Sequence, residues 1–320
     1  MKKQNAFSNP LLASGADPWI VKRGRWYYFM CTNGGNITIR KTRAVTAVAQ
    51  AAAVKVWSPP ASGPHAHNIW APELHYLKGK WYLYYAAGAS GDLSTQRCFV
   101  LENSSKDPTR GHWIDKGKIG DPEADFFSID GSVFQYKGKH YFIWSGTASD
   151  HDNIQRIYIA VMKNPWTLGS HRVQISMPKY DWEKIGGQVN EGPEALQSPA
   201  GTLFVTFSVS QCATDDYGLG LLRLKEEGDP LRPSDWIKRS RPVFSKNVEE
   251  NVFGPGHNGF FKSKNGKEYW LVYHANSHSG EGCGGGRSPR IQKFTWKKNG
   301  DPDFGKPVGL SKEIPKPGGE

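Results

Sequence analysis

Acidic side chains stand at the starts of several short apolar runs in this 320-residue chain. Asp17 opens DPWIVKRGRWYYFM, Asp130 opens DGSVFQYKGKHYFIWS, and Glu191 opens EGPEALQSPAGTLFVTFS. Glu73, in APELHYLKGKWYLYYA, and His257, in GHNGFFKSKNGKEYWLVYHA, stand near the starts of two more. Carboxyl groups that converge on one pocket can divide acid–base work: a protonated one donates, an ionised one takes a proton from water. A third carboxylate nearby holds the acid protonated, because like charges raise a carboxyl pKa. A lone acidic residue more often caps a turn or binds a backbone amide. Polar groups at the same place in five runs are not what packing alone selects.

The elements that carry these residues repeat. In each run a short apolar strand enters a glycine turn and an aromatic-rich strand follows, which is a β-hairpin pattern. The turn glycines are Gly24, Gly79, Gly138, Gly201 and Gly266, separated by 55, 59, 63 and 65 residues. That period leaves room for two further strands per unit, such as RCFVLEN from Arg97 and IYIAVM from Ile157. Four strands per repeat is a propeller blade. The expected fold is an all-β, five-bladed β-propeller, one catalytic domain over residues 1–320. Its hairpins lie near 17–30, 71–86, 129–145, 190–208 and 254–275. A β-sandwich does not explain five equal copies, and a six-bladed propeller with S-x-D-x-G-x-x-W boxes finds none here. The starts of the first strands face the axis of a propeller, so Asp17, Glu73, Asp130, Glu191 and His257 are expected at equivalent positions round one pocket.

Five motifs, ADPWI from Ala16, IWAPELH from Ile69, IDGSVF from Ile129, NEGPE from Asn190 and GPGHNGF from Gly254, occur in order. Together they resemble glycoside hydrolase family 43, and within it the exo-acting α-L-arabinofuranosidases. The resemblance runs from Asp17 to the DPDFG segment at Asp301. It implies an inverting hydrolase with Asp17 as general base, Asp130 as the residue that tunes and orients the acid, and Glu191 as general acid. This suits glycoside hydrolysis, in which two carboxyl groups flank the scissile bond. Glu194 is expected to support Glu191 or a nearby backbone group, and Glu73 to floor the pocket or stand behind the residues that line it. The resemblance also implies an arginine reaching sugar hydroxyls, Arg290, with Arg287 as its competitor. Trp19, Trp70 and Phe127 are the aromatics expected against the sugar. His257 has two readings, a hydrogen-bonded histidine in the central channel or an organiser of a structural calcium. No cofactor is required for the chemistry. The substrate implied is terminal L-arabinofuranose on plant cell-wall polysaccharide such as arabinan or arabinoxylan. A β-xylosidase or endo-arabinanase on the same scaffold, and a non-catalytic carbohydrate-binding propeller, are the alternatives.

Composition narrows the classes. The net charge of +11 is spread over scattered Lys and Arg, with no RNP, zinc-finger or basic-helix signature, so nucleic acid is not an expected partner. Twelve Trp, 13 Tyr and 15 Phe suit sheet packing first and sugar contact second. No run of 18 apolar residues is present, so no membrane helix is expected. AVTAVAQAAAV from Ala44 reads as a short helix or packed loop. The start, MKKQNAFSNPLL, has lysines but no apolar stretch behind them and is not an intact signal peptide. Secretion or periplasmic export with a leader removed is expected, with a cytoplasmic location left open. Cys31, Cys98, Cys212 and Cys283 form no C-x-x-C pair and are expected to be mostly free thiols. A monomer is expected.

Overall fold

The computed structural model describes residues 5–320. Five antiparallel sheets follow one another along the chain, each a meander in which consecutive strands are hydrogen-bonded neighbours. Blade 1 comprises Ala16–Arg23, Trp26–Thr32, Ile37–Thr42 and Ala53–Trp57. Blade 2 comprises His67–Leu77, Lys80–Gly88, Arg97–Asn103 and Ile114–Lys118. In blade 3, Ser128–Tyr136, Lys139–Gly146 and Arg156–Asn164 are edged by two short strands, Thr167–Leu168 and Val173–Ser176. Blade 4 runs Asn190–Gln197, Leu203–Val209, Gly218–Leu224 and Trp236–Lys238. Blade 5 runs Phe253–Lys262, Tyr269–Asn276, Ser288–Trp296 and Pro302–Asp303. The first strands touch one another round a closed ring, blade 5 meeting blade 1.

Local chemistry accounts for the hairpins. All five turn glycines have positive φ, between 58° and 87°. In blades 2 and 3 the residue before the glycine is also left-handed, Lys78 at 48° and Lys137 at 44°, as a two-residue turn of type I′ requires. Between neighbouring blades the second and third strands interleave apolar side chains, giving five buried clusters, one per blade interface. Trp81, Trp270, Tyr27, Tyr84 and Tyr85 are fully buried there, so sheet packing takes much of the aromatic content. Val45–Gln50 is a 3-10 helix whose Val45 and Val48 pack into the cluster between blades 5 and 1. Ala6–Phe7 pairs antiparallel with Ile314–Pro315, tying the two ends of the described chain together. Among the described residues no helix is long and apolar enough to cross a membrane.

The cysteines correct the sequence expectation. Cys212 and Cys283 form a disulfide across 71 residues of sequence, while Cys31 and Cys98 are free. The two bonded residues sit on the loops that follow the second strands of blades 4 and 5. Only the ring of blades makes those loops neighbours.

Candidate active site

The inner strand of every blade breaks register near its start. At each break one residue adopts left-handed backbone: Asp17 (φ 53°), Ala71 (44°), Asp130 (57°), Gly192 (52°) and His257 (47°). A bulge of this kind re-aims the side chain and releases its N–H from the strand ladder. The released donors are caught from elsewhere. Asp17 N–H donates to His274 Nδ1 (3.1 Å), Ala71 N–H to Thr32 Oγ1 (2.7 Å), Gly192 N–H to Asp130 Oδ2 (2.9 Å) and His257 N–H to Ser208 Oγ (2.8 Å). Thr32, Ser208 and His274 each end or nearly end the second strand of the preceding blade, so the site's backbone is locked blade to blade.

The five polar residues do not share one register, as the repeat had implied. Asp17, Asp130 and His257 occupy the bulge itself, Glu191 lies one residue before it, and Glu73 two after it, level with Glu194. The pocket therefore has two layers. In the upper one, Asp17 Oδ1 lies 3.2 Å from His257 Nδ1 and 3.8 Å from an Arg287 nitrogen, and Oδ2 accepts from Thr32 Oγ1 at 2.6 Å. Burial opposes ionisation of Asp17, but these neighbours prevail and hold its pKa at about 2. Glu191 is the reverse case. Burial, then the charge of Asp130, push its pKa up to about 7, against His257 and a 2.8 Å hydrogen bond from the Tyr217 hydroxyl. Asp130 is itself raised to about 6, by burial and by Asp17 and Glu73, against His257 and the Gly192 N–H. Burial alone would discharge His257, yet Asp17, Asp130 and Glu191 raise its pKa above the ordinary histidine value. The result near neutrality is two ionised carboxylates, Asp17 and Asp130, one carboxyl, Glu191, that keeps its proton longer, and a cation among them. Gly192 is needed for this arrangement, since a Cβ there would meet the His257 ring at 3.3 Å in a left-handed conformation.

In the lower layer Glu194 is held well above the carboxylate range by burial, then by the charge of Glu73, to which it hydrogen-bonds. Glu73 also meets His75 Nε2 at 2.8 Å, and Ser132 Oγ donates to Glu194 at 3.4 Å. Glu194 thus supports the floor rather than touching Glu191 directly, and Glu73 is its partner there. Trp19 belongs to the same level. Its indole N–H donates to the Leu74 carbonyl at 3.0 Å and its ring lies 4.9 Å from that of His75.

Trp70 occupies in blade 2 the register that Glu191 holds in blade 4, and it stays partly exposed. Phe127, also partly exposed, lines a cleft with Leu93, Thr147, Asn153 and Gln155. Arg290 is fully buried inside blade 5, where it donates to Ser288, Ala275 and Ser277. Its competitor Arg287 is the arginine beside Asp17. Sequence reading assigned no role to Thr32, Ser208, Tyr217 or His274. Three of them had a signal: in WYYFMCT, FVTFS and LVYH a polar residue closes an apolar second strand. Each lies opposite an inner-strand residue just before or at the break, as in Ala16 with Thr32, Glu191 with Ser208 and Gly256 with His274. Tyr217 had none; it stacks on His274 with ring planes 7° apart.

Calcium takes six to eight oxygen ligands. His257 has its Nδ1 on Asp17, and the described residues contain no group of three or more His, Cys, Asp or Glu arranged to hold a metal. His257 is held through Nδ1 by Asp17, the hydrogen-bonded reading of this histidine.

Residues 7–302 match the model of glycosyl hydrolases family 43. The chain is 39% identical over 310 residues to an extracellular exo-α-(1→5)-L-arabinofuranosidase of Streptomyces avermitilis, covering 94% of this chain and 64% of that protein. It therefore spans about two thirds of that relative's length. A protein of the same name from Streptomyces chartreusis is 39% identical over 277 residues, covering 85% of this chain and 83% of that one. Among solved structures, an α-L-arabinofuranosidase from Lactobacillus brevis superposes with a TM-score of 0.90 at 35% identity, covering 96% of this chain and 98% of the other.

Proposed function

We propose, from the premise that this chain belongs to glycosyl hydrolase family 43, that it is an inverting exo-hydrolase releasing terminal L-arabinofuranose from arabinan and arabinose-bearing polysaccharides. The observation that carries this reading is the opposed state of two partly buried carboxyls in one pocket, Asp17 held ionised and Glu191 held protonated. Asp17 positions a water on the face of the sugar away from the leaving group. Glu191 delivers its proton to the glycosidic oxygen as the C–O bond breaks, and the water oxygen bonds the anomeric carbon from the opposite side. A carboxylate as acidic as Asp17 is a weak base, so the water yields its proton late, once the oxocarbenium-like carbon has acidified it. Asp130 repels charge on Glu191 and so keeps the proton there. Both acids recover their starting states by exchange with solvent.

Trp70 and Phe127 supply apolar faces to the sugar and its chain, Arg287 meets hydroxyls beside Asp17, and Trp19 holds the wall beneath. The Streptomyces relatives are named exo-acting and extracellular, which supports both terminal attack and secretion. A disulfide between Cys212 and Cys283 fits an oxidising compartment. The test is product analysis. Linear arabinan should yield L-arabinose from the first time points, appearing by NMR with inverted anomeric configuration before mutarotation. Early long oligosaccharides would exclude exo action, and a retained first product would exclude the mechanism.

A further inference from the structure

We propose that the Cys212–Cys283 disulfide is a positioning device: it pins the glycine-rich loop of blade 5 so that the loop's carbonyls hold the Arg287 guanidinium against Asp17. The inference rests on the reading of Asp17 as the base.

The loop between Asn276 and Ser288 is anchored by side chains in its first half only. Asp215 accepts from Ser279 Oγ and Gly280 N–H, and Glu281 accepts from the N–H groups of Ser277 and His278. Asn276 donates to the Gly282 carbonyl at 2.9 Å. After Cys283 come Gly284, Gly285 and Gly286, which have no side chain to anchor and the largest backbone entropy to lose. Cys283 is thus the last side-chain anchor before Arg287. It is also what the arginine grips: Arg287 donates to the Cys283 carbonyl at 2.7 Å and to the Gly284 carbonyl at 3.4 Å, leaving its third nitrogen 3.8 Å from Asp17. The partner half of the bond, Cys212, sits on the loop leading to Tyr217, whose hydroxyl holds Glu191. One covalent link therefore joins the loops behind the two opposed carboxyls.

Without the link the three glycines let the Cys283 and Gly284 carbonyls drift, and the guanidinium leaves Asp17. The test compares the wild type with C212S/C283S, R287A and the triple variant, each confirmed as folded by its melting curve. The acid limb of kcat/KM is followed on an aryl arabinofuranoside. The Asp17 carboxyl is also titrated by carbon-13 NMR, which needs no turnover and so stands apart from the glycosidase reading. C212S/C283S should raise the Asp17 titration by about one pH unit, the low end of what a nearby opposite charge supplies. R287A should do the same, and removing the disulfide in the R287A background should add nothing. An unchanged Asp17 titration in C212S/C283S would overturn the proposal, as would an equal shift with Arg287 already absent. Loss of thermal stability alone, with Asp17 unmoved, would mark the bond as a staple and nothing more.

Discussion

At the scale of residues, the site shows how identical functional groups are driven apart by surroundings. Asp17 and Glu191 are both partly buried, and burial favours the neutral carboxyl in each. Asp17 has His257, Arg287 and the Thr32 hydroxyl against it, and these outweigh burial. Glu191 has Asp130 beside it, which adds to burial. A pH profile follows with a definite sign. With Glu191 as the proposed acid, activity should be fully present below its folded pKa of about 7 and lost as pH rises through it. With Asp17 as the proposed base, the acid limb should fall only as pH drops toward about 2. Asp130→Asn removes the charge that raises Glu191. The basic limb of kcat/KM should then move to lower pH, and activity at pH 7 should fall relative to pH 5. A basic limb that stays in place or moves up would deny Asp130 its tuning role.

At the scale of elements, the inner strands are built to be interrupted. Their bulges re-aim Asp17, Asp130 and His257, and the N–H groups freed at Asp17, Ala71, Gly192 and His257 are satisfied by the neighbouring blade. Thr32 makes the point, since its hydroxyl donates to Asp17 while accepting the Ala71 N–H. Thr32→Val keeps the shape and removes both bonds, leaving a buried N–H unpaired. Such a loss costs about 1–3 kcal/mol. We expect a lower melting temperature together with an Asp17 acid limb displaced upward, because one of the groups that favours its charged form is gone. A drop in stability with an unmoved acid limb would show that the hydroxyl serves the blade junction alone.

At the scale of the whole molecule, five blades close through five apolar interfaces, and the channel they surround is charged. The cation among the acids is His257, 3.2 Å from Asp17. If His257 alone supplies that positive charge, excess chelator should leave both the melting temperature and kcat/KM unchanged. A ligand bound only to the folded state stabilises it, so a clear fall in melting temperature on chelation would reveal an ion in the channel.

The sequence determined the number of blades, because turn glycines and strand periodicity are local properties of backbone and side chain. It also placed Asp17, Asp130 and Glu191 at the starts of inner strands, because the apolar run after each of them is local. It left the two layers unread: a register break slides Glu191 and Glu73 away from the positions of Asp17 and Asp130, and no residue type announces a break by itself. Sequence favoured Arg290 with Arg287 as its competitor, whereas the structure buries Arg290 inside the blade and sets Arg287, on the loop just before that strand, beside Asp17. The disulfide and the Tyr217–Glu191 bond were decided only by tertiary structure. The disulfide joins loops of two successive blades, 71 residues apart, and the Tyr217–Glu191 bond joins the entry of the third strand of blade 4 to its first; neither follows from a local sequence pattern.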